Sequence, residues 1–84
     1  MNTAYLNRVL IYLHQELPQQ YREQIRLTDE KFIVTVPDTS NFQSVYELLH
    51  PTIVSCINRV RNRDMDLEFT IRSKNQERDF KILK

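Results

Sequence analysis

Three observations predict an α+β domain with helices over one face of a small mixed sheet. Apolar residues recur at helical spacings of three and four, change to strict alternation, and then repeat that change within 84 residues. The alternating stretches are rich in β-branched and aromatic residues, as strands require. Prolines stand at 18, 37 and 51, where one pattern gives way or is interrupted. A chain of this length supports a single core and buries only about 60 to 65% of the surface it exposes when unfolded.

The first element places Leu6, Val9, Leu10, Leu13 and Leu17 on one stripe, with Arg8, Gln15 and Glu16 elsewhere. This predicts an amphipathic helix from about Thr3 to Leu17. Pro18 cannot continue it but suits a first helical turn, so "PQQYREQI" reads as a short second helix with Tyr21 and Ile25 inward.

In "IRLTDEKFIVTVPD", Ile25 and Leu27 alternate with polar residues, Thr28 to Glu30 break the run, and Phe32, Val34 and Val36 alternate with Ile33 and Thr35. A hairpin follows, although the break has neither Asn-Gly nor Asp-Gly and leaves the turn type open. Pro37 ends the second strand. Ser40 and Gln43 have capping-box spacing ahead of Phe42, Val45, Tyr46 and Leu49 at helical intervals. Pro51 interrupts that pattern, which predicts two helices or one kinked helix, with Ile53, Ile57 and Val60 inward in the second half.

The last strand puts Met65, Leu67, Phe69 and Ile71 on a buried side and Asp66, Glu68, Thr70 and Arg72 on a wet side. The tail "SKNQERDFKILK" is polar, and either prolongs this strand or opens a further element. The order helix, short helix, hairpin, proline-broken helix, strand demands a parallel pairing across the helical crossover. The expected result is a three-stranded mixed sheet covered by helices on one face.

Function classes are narrowed mainly by exclusion. Twelve Lys and Arg against eleven Asp and Glu give a net charge of +1, too balanced for the long-range field of a dedicated nucleic-acid binder. Glycine is absent, so the phosphate-cradling loops that need backbone at positive φ cannot be built. The layout is similar to that of KH domains, but their GxxG clamp on single-stranded RNA is missing for the same reason. Cys56 is the only cysteine, which rules out an internal disulfide and suits the cytoplasm. No window approaches the ~20 apolar residues of a membrane helix, and the N-terminal residues lack the features of a signal peptide.

The basic run "INRVRNR" poses the one open question. Arg59 and Arg63 share a helical face, whereas Arg61 falls at the edge of the apolar stripe, so the three do not form one patch. Helix-end charge complementarity and local ion pairing with Asp64, Asp66 and Glu68 explain them. The competing role is contact with nucleic acid or an acidic partner, through Arg59, Arg63, Arg72 and Lys74.

His14, His50 and Cys56 have no spacing that would bring them together, so neither a Cys–His nucleophile nor a zinc site is expected. No catalytic, cofactor or metal residue is therefore assigned. Phe32, Phe42 and Phe69 fall on core phases, while Tyr5, Tyr12 and Phe80 are not determined. Any of these three left exposed beside an apolar neighbour would mark a partner surface.

The segments "QELPQQYREQI", "FIVTVPD", "LLHPTIVSCINRV" and "MDLEFTIR" together resemble the C-terminal domain of the gamma/tau subunit of bacterial DNA polymerase III, of the Bacteroidetes type. The shared pattern is a leucine-proline-ended helix, a short helix, a V-x-V strand, a helix broken by proline, and an x-L-x-(I/F)-x-I-R strand. It covers nearly the whole chain and is carried by apolar phases.

The resemblance implies a non-enzymatic protein-interaction domain spanning 1–84, taken from a larger replication protein, with Met1 not its natural start. Its partners would be polymerase, helicase or clamp-loader subunits, with nucleic acid bound weakly at most. The family's ATP site lies outside these residues. The chain is also similar to the N-terminal domain of the replication initiator DnaA, in its α-β-β-α-β layout and the "V-x-V-P" strand. It departs from that family in having Tyr21 and no tryptophan where a Phe and a Trp are usual.

Overall fold

A computed structural model describes residues 3–22, 24–37, 41–60 and 65–83. Helix α1 (Thr3–Glu16) buries Tyr5, Leu6, Val9 and Leu13, and Leu17 closes the stripe. Pro18 stops it, and a single turn, α2 (Gln19–Arg22), turns the chain with Tyr21 inward. Strands β1 (Ile25–Thr28) and β2 (Lys31–Thr35) form the expected hairpin.

Thr28 pairs with Lys31, so Asp29 and Glu30 make a two-residue loop, at φ 52° and 63°. Positive φ at both central positions is the signature of a type I′ turn, whose twist matches that of the flanking strands. Glycine or asparagine usually occupies such positions. Here side chains with a β-carbon are held there, at a cost of about 1 kcal/mol each.

Helix α3 (Phe42–Asn58) runs through Pro51 as a single helix, so of the two expected alternatives it is the two separate helices that are not formed. Proline removes the donor to the Glu47 carbonyl, but Pro51 and Glu47 both lie on the exposed side, where water can take that bond. Thr52 Oγ1 donates to the Leu48 carbonyl at 2.8 Å just beyond. The N-cap is Asn41, and Ser40 of the expected capping box lies outside the described residues. Gln43 is engaged elsewhere, as described below.

Strand β3 (Leu67–Arg72) pairs parallel with β2, as the crossover required. The tail does not prolong it. Residues 73–76 turn back, with the Ser73 N–H donating to the Gln76 carbonyl, and β4 (Glu77–Ile82) adds an antiparallel fourth strand. The sheet is therefore four-stranded, in the order β1-β2-β3-β4, and the three-stranded expectation is corrected. Thr70 changes environment with it: expected on the wet face, it is buried because β4 lies alongside.

The core lies between the helices and one face of the sheet. Phe32, Val34, Leu67, Phe69 and Ile71 meet Leu6, Val9, Leu13, Leu49, Ile53 and Ile57, all essentially without solvent contact.

Replacing Glu30 by Gly removes the β-carbon from the second turn position while loosening the unfolded chain. The expected net gain is about 0.5 kcal/mol, or a rise in Tm of a few degrees, in a thermal melt followed by circular dichroism. An unchanged or lower Tm would contradict the turn assignment.

Candidate functional site

The clearest concentration of aromatic and polar side chains lies where α3 meets β4. The sheet register places Phe32, Phe69 and Phe80 side by side on the helix-covered face. Their rings stack at centroid separations of 5.1 Å for each neighbouring pair. Phe80 is only partly buried, because β4 is the outermost strand.

His50 meets the Phe80 ring edge-on at 4.6 Å, and Tyr46 does so at 6.2 Å. Tyr46 and His50, one turn apart on α3, stack on each other at 5.4 Å. The helix side that carries residues 43, 46 and 50 thus faces β4.

Arg78 completes this corner. Its guanidinium lies 4.3 Å from the centroid of the Tyr46 ring and donates to Gln43 Oε1 at 2.9 Å. Gln43 Nε2 in turn donates to Glu47 Oε1 at 3.0 Å. The Gln43 amide therefore bridges a cation and a carboxylate. Arg78 was not among the basic residues singled out from sequence, since its position on β4 had no predicted element to belong to.

The opposite face of the sheet carries charge in alternation. Thr70 Oγ1 donates to Asp79 Oδ1 at 2.6 Å, and Lys31 Nζ approaches the same carboxylate at 3.6 Å. Directly opposed, Lys81 Nζ and Glu68 Oε1 lie 3.5 Å apart. The Thr70 hydroxyl holds the Asp79 carboxyl below its ordinary range; burial opposes it, and Lys31 adds to the lowering.

The described candidate basic residues, Arg59, Arg72 and Lys74, are not brought together. Arg59 caps the C-terminus of α3 and lies 3.9 Å from Glu16 of α1. Arg72 ends β3, level with Thr35 at the end of β2, from which the chain leaves for α3. Lys74 is exposed in the β3–β4 turn. A 17-residue helix spans about 25 Å, so Arg59 stands at the far end of the molecule from Arg72 and Lys74. Arg61, Arg63 and Asp64 lie outside the described residues.

The candidate nucleophile and imidazoles also lie apart. His50 faces β4, whereas Cys56 is buried on the side of α3 that faces Glu16. Burial pushes its thiol up, Glu16 adds to that, and Arg59 opposes it. His14 is on α1. Among the described residues, no group of three His, Cys, Asp or Glu side chains is placed to hold a metal ion, and no helix is long and apolar enough to cross a membrane.

No family model, curated protein or solved structure matches this chain.

Asp79 supplies a pH test. Because its folded pKa is depressed, its contribution to stability is present above the unfolded value of about 3.9 and is lost as pH falls through the lower folded value. Thr70→Val removes the main cause. An NMR titration of the side-chain carboxyl should place Asp79 below the usual aspartate range in the parent and nearer to it in the variant. Identical titration curves would contradict the hydrogen bond.

Proposed function

We propose that this chain is a non-catalytic protein-interaction domain. The observation that carries the reading is the corner between α3 and β4. There, among the described residues, no further strand pairs with the outer edge of β4 beside Phe80, and Tyr46, His50 and Arg78 stand at its flank. An open edge offers main-chain hydrogen bonds to an added strand, and aromatic residues with Arg are the side chains that interfaces favour.

Two further points support this reading over a nucleic-acid one. The described basic candidates stand at opposite ends, and the wet face of the sheet alternates in sign, so neither presents a positive track to a phosphate backbone. The lone buried thiol accords with a reducing compartment such as the cytoplasm.

The likeness to the gamma/tau C-terminal domain, and to the DnaA N-terminal domain beside it, nominates replication proteins as partners. The partner class would be polymerase, helicase or clamp-loader subunits. That nomination rests on the shared apolar phases alone.

A fluorescence titration with a labelled single-stranded oligonucleotide at about 0.15 M salt separates the two readings. The expected dissociation constant is millimolar or weaker. A micromolar constant that weakens steeply with added salt would overturn the proposal and restore Arg59, Arg63, Arg72 and Lys74 as a binding set. Saturable binding of a purified replication subunit, little affected by salt, is the positive outcome expected for the replication assignment.

A further inference from the structure

The partner that best fits the β4 edge is a second copy of the same edge. We infer that two chains pair antiparallel through β4, with Phe80 opposite Phe80 of the second copy, joining two four-stranded sheets into one of eight strands. The inference rests on the interaction-domain reading and names its occupant.

Backbone direction restricts the possible registers first. Ser73 and Gln76 are a directly opposed, hydrogen-bonded pair, and the β3–β4 pairing continues from them without a bulge. Alternation along an antiparallel ladder then turns the N–H and C=O groups of residues 78, 80 and 82 towards β3, and those of Glu77, Asp79 and Lys81 outward. Only registers that oppose odd-numbered residues to odd-numbered ones can form hydrogen bonds. Those registers also keep like faces of the two sheets together.

Charge then selects among them. Centring the pair on residue 79 sets Asp79 against Asp79, and centring it on residue 81 sets Lys81 against Lys81. Centring it on Phe80 sets Asp79 against Lys81 twice, with no like charges opposed. Oppositely charged cross-strand pairs are favourable and like pairs are not.

The Phe80-centred register also makes Phe80–Phe80 a pair without hydrogen bonds between its two residues, the type with the shorter Cα separation of about 4.5 Å. The remaining exposed surface of Phe80 would be covered there, and the Phe32–Phe69–Phe80 stack would run on into the second copy. The pairing is isologous and closes on itself, whereas joining β4 to the short β1 edge would propagate without end.

One six-residue edge forms a small interface, below the roughly 1,200 Å² of stable complexes, so the expected dissociation constant is on the order of 100 µM.

Sedimentation equilibrium of the 84-residue chain up to millimolar concentration tests this, with circular dichroism checking that each variant is folded. Asp79→Lys alone opposes two pairs of lysines, and Lys81→Glu alone opposes two pairs of carboxylates. Each should raise the dissociation constant about tenfold or more. Mixed together, these two variants restore an opposite charge at both pairs, and a heterodimer should form at least as tightly as the parent homodimer.

A chain that stays monomeric throughout would overturn the inference. So would self-association that neither substitution weakens, or variants that weaken it singly and do not pair when mixed. None of these results touches the interaction-domain reading, which falls on micromolar oligonucleotide binding instead.

Discussion

Phe69 lies between Phe32 and Phe80, with ring centroids 5.1 Å away on both sides, and the rest of the fold depends on that register. The three residues belong to three strands, one parallel pairing and one antiparallel. Slipping any strand by one residue would send its phenylalanine to the charged face and bring Lys31, Glu68 or Lys81 into the core. Burial of a phenylalanine contributes about 1.5 to 3 kcal/mol, and a well-placed aromatic pair about 0.5 to 1.5 kcal/mol more. The surface ion pairs of the other face contribute about 0 to 1 kcal/mol each. The stack therefore sets the register, and the charges follow it.

That register determines what α3 can do. It carries the chain from the end of β2 back to the start of β3, and so must lie across the core face. One side of α3 meets β4 through Tyr46 and His50, and the other meets α1 near Cys56 and Glu16. The same geometry separates Arg59 from Arg72 by the length of the helix. Two of the basic candidates taken from the sequence, Arg59 and Arg72, are thereby set at opposite ends, and Arg59 lies beside Glu16 of α1.

The elements legible in the sequence were those with several apolar residues in phase. The stripes of α1 and α3, the alternation of β2 and β3, and the parallel crossover all follow from such patterns. β4 was not legible, because "ERDFKI" offers only Phe80 and Ile82 on the core side among charged residues. Its pattern is that of an edge strand, whose outer side is wet and whose charges guard against indiscriminate pairing. Missing it also misplaced Thr70 and left Phe80 and Arg78 unassigned, so the candidate surface was lost with it. The signal available was the period-two phase of Phe80 and Ile82 behind the polar "SKNQ" turn. Pro51 left two helices and one kinked helix open in the sequence; one helix forms because the proline's local cost on the exposed side is smaller than the burial that Leu49, Ile53 and Ile57 gain from a continuous element.

A glycine-free chain has consequences beyond the loops that it forbids. The β1–β2 turn needs two residues at positive φ and takes Asp29 and Glu30, so strain of about 1 kcal/mol per position is held in a domain whose whole stability is on the order of 5 kcal/mol. That strain is tolerated because the alternative, a longer loop, would shift Phe32 out of line with Phe69. The charges of β4 are constrained in a similar way. Asp79 and Lys81 already answer Thr70, Lys31 and Glu68 within the chain, and the alternation that satisfies those partners also decides which edge can lie alongside. An edge built this way disfavours most strands by charge while remaining open to one that matches, so the residues that guard the sheet also set its specificity.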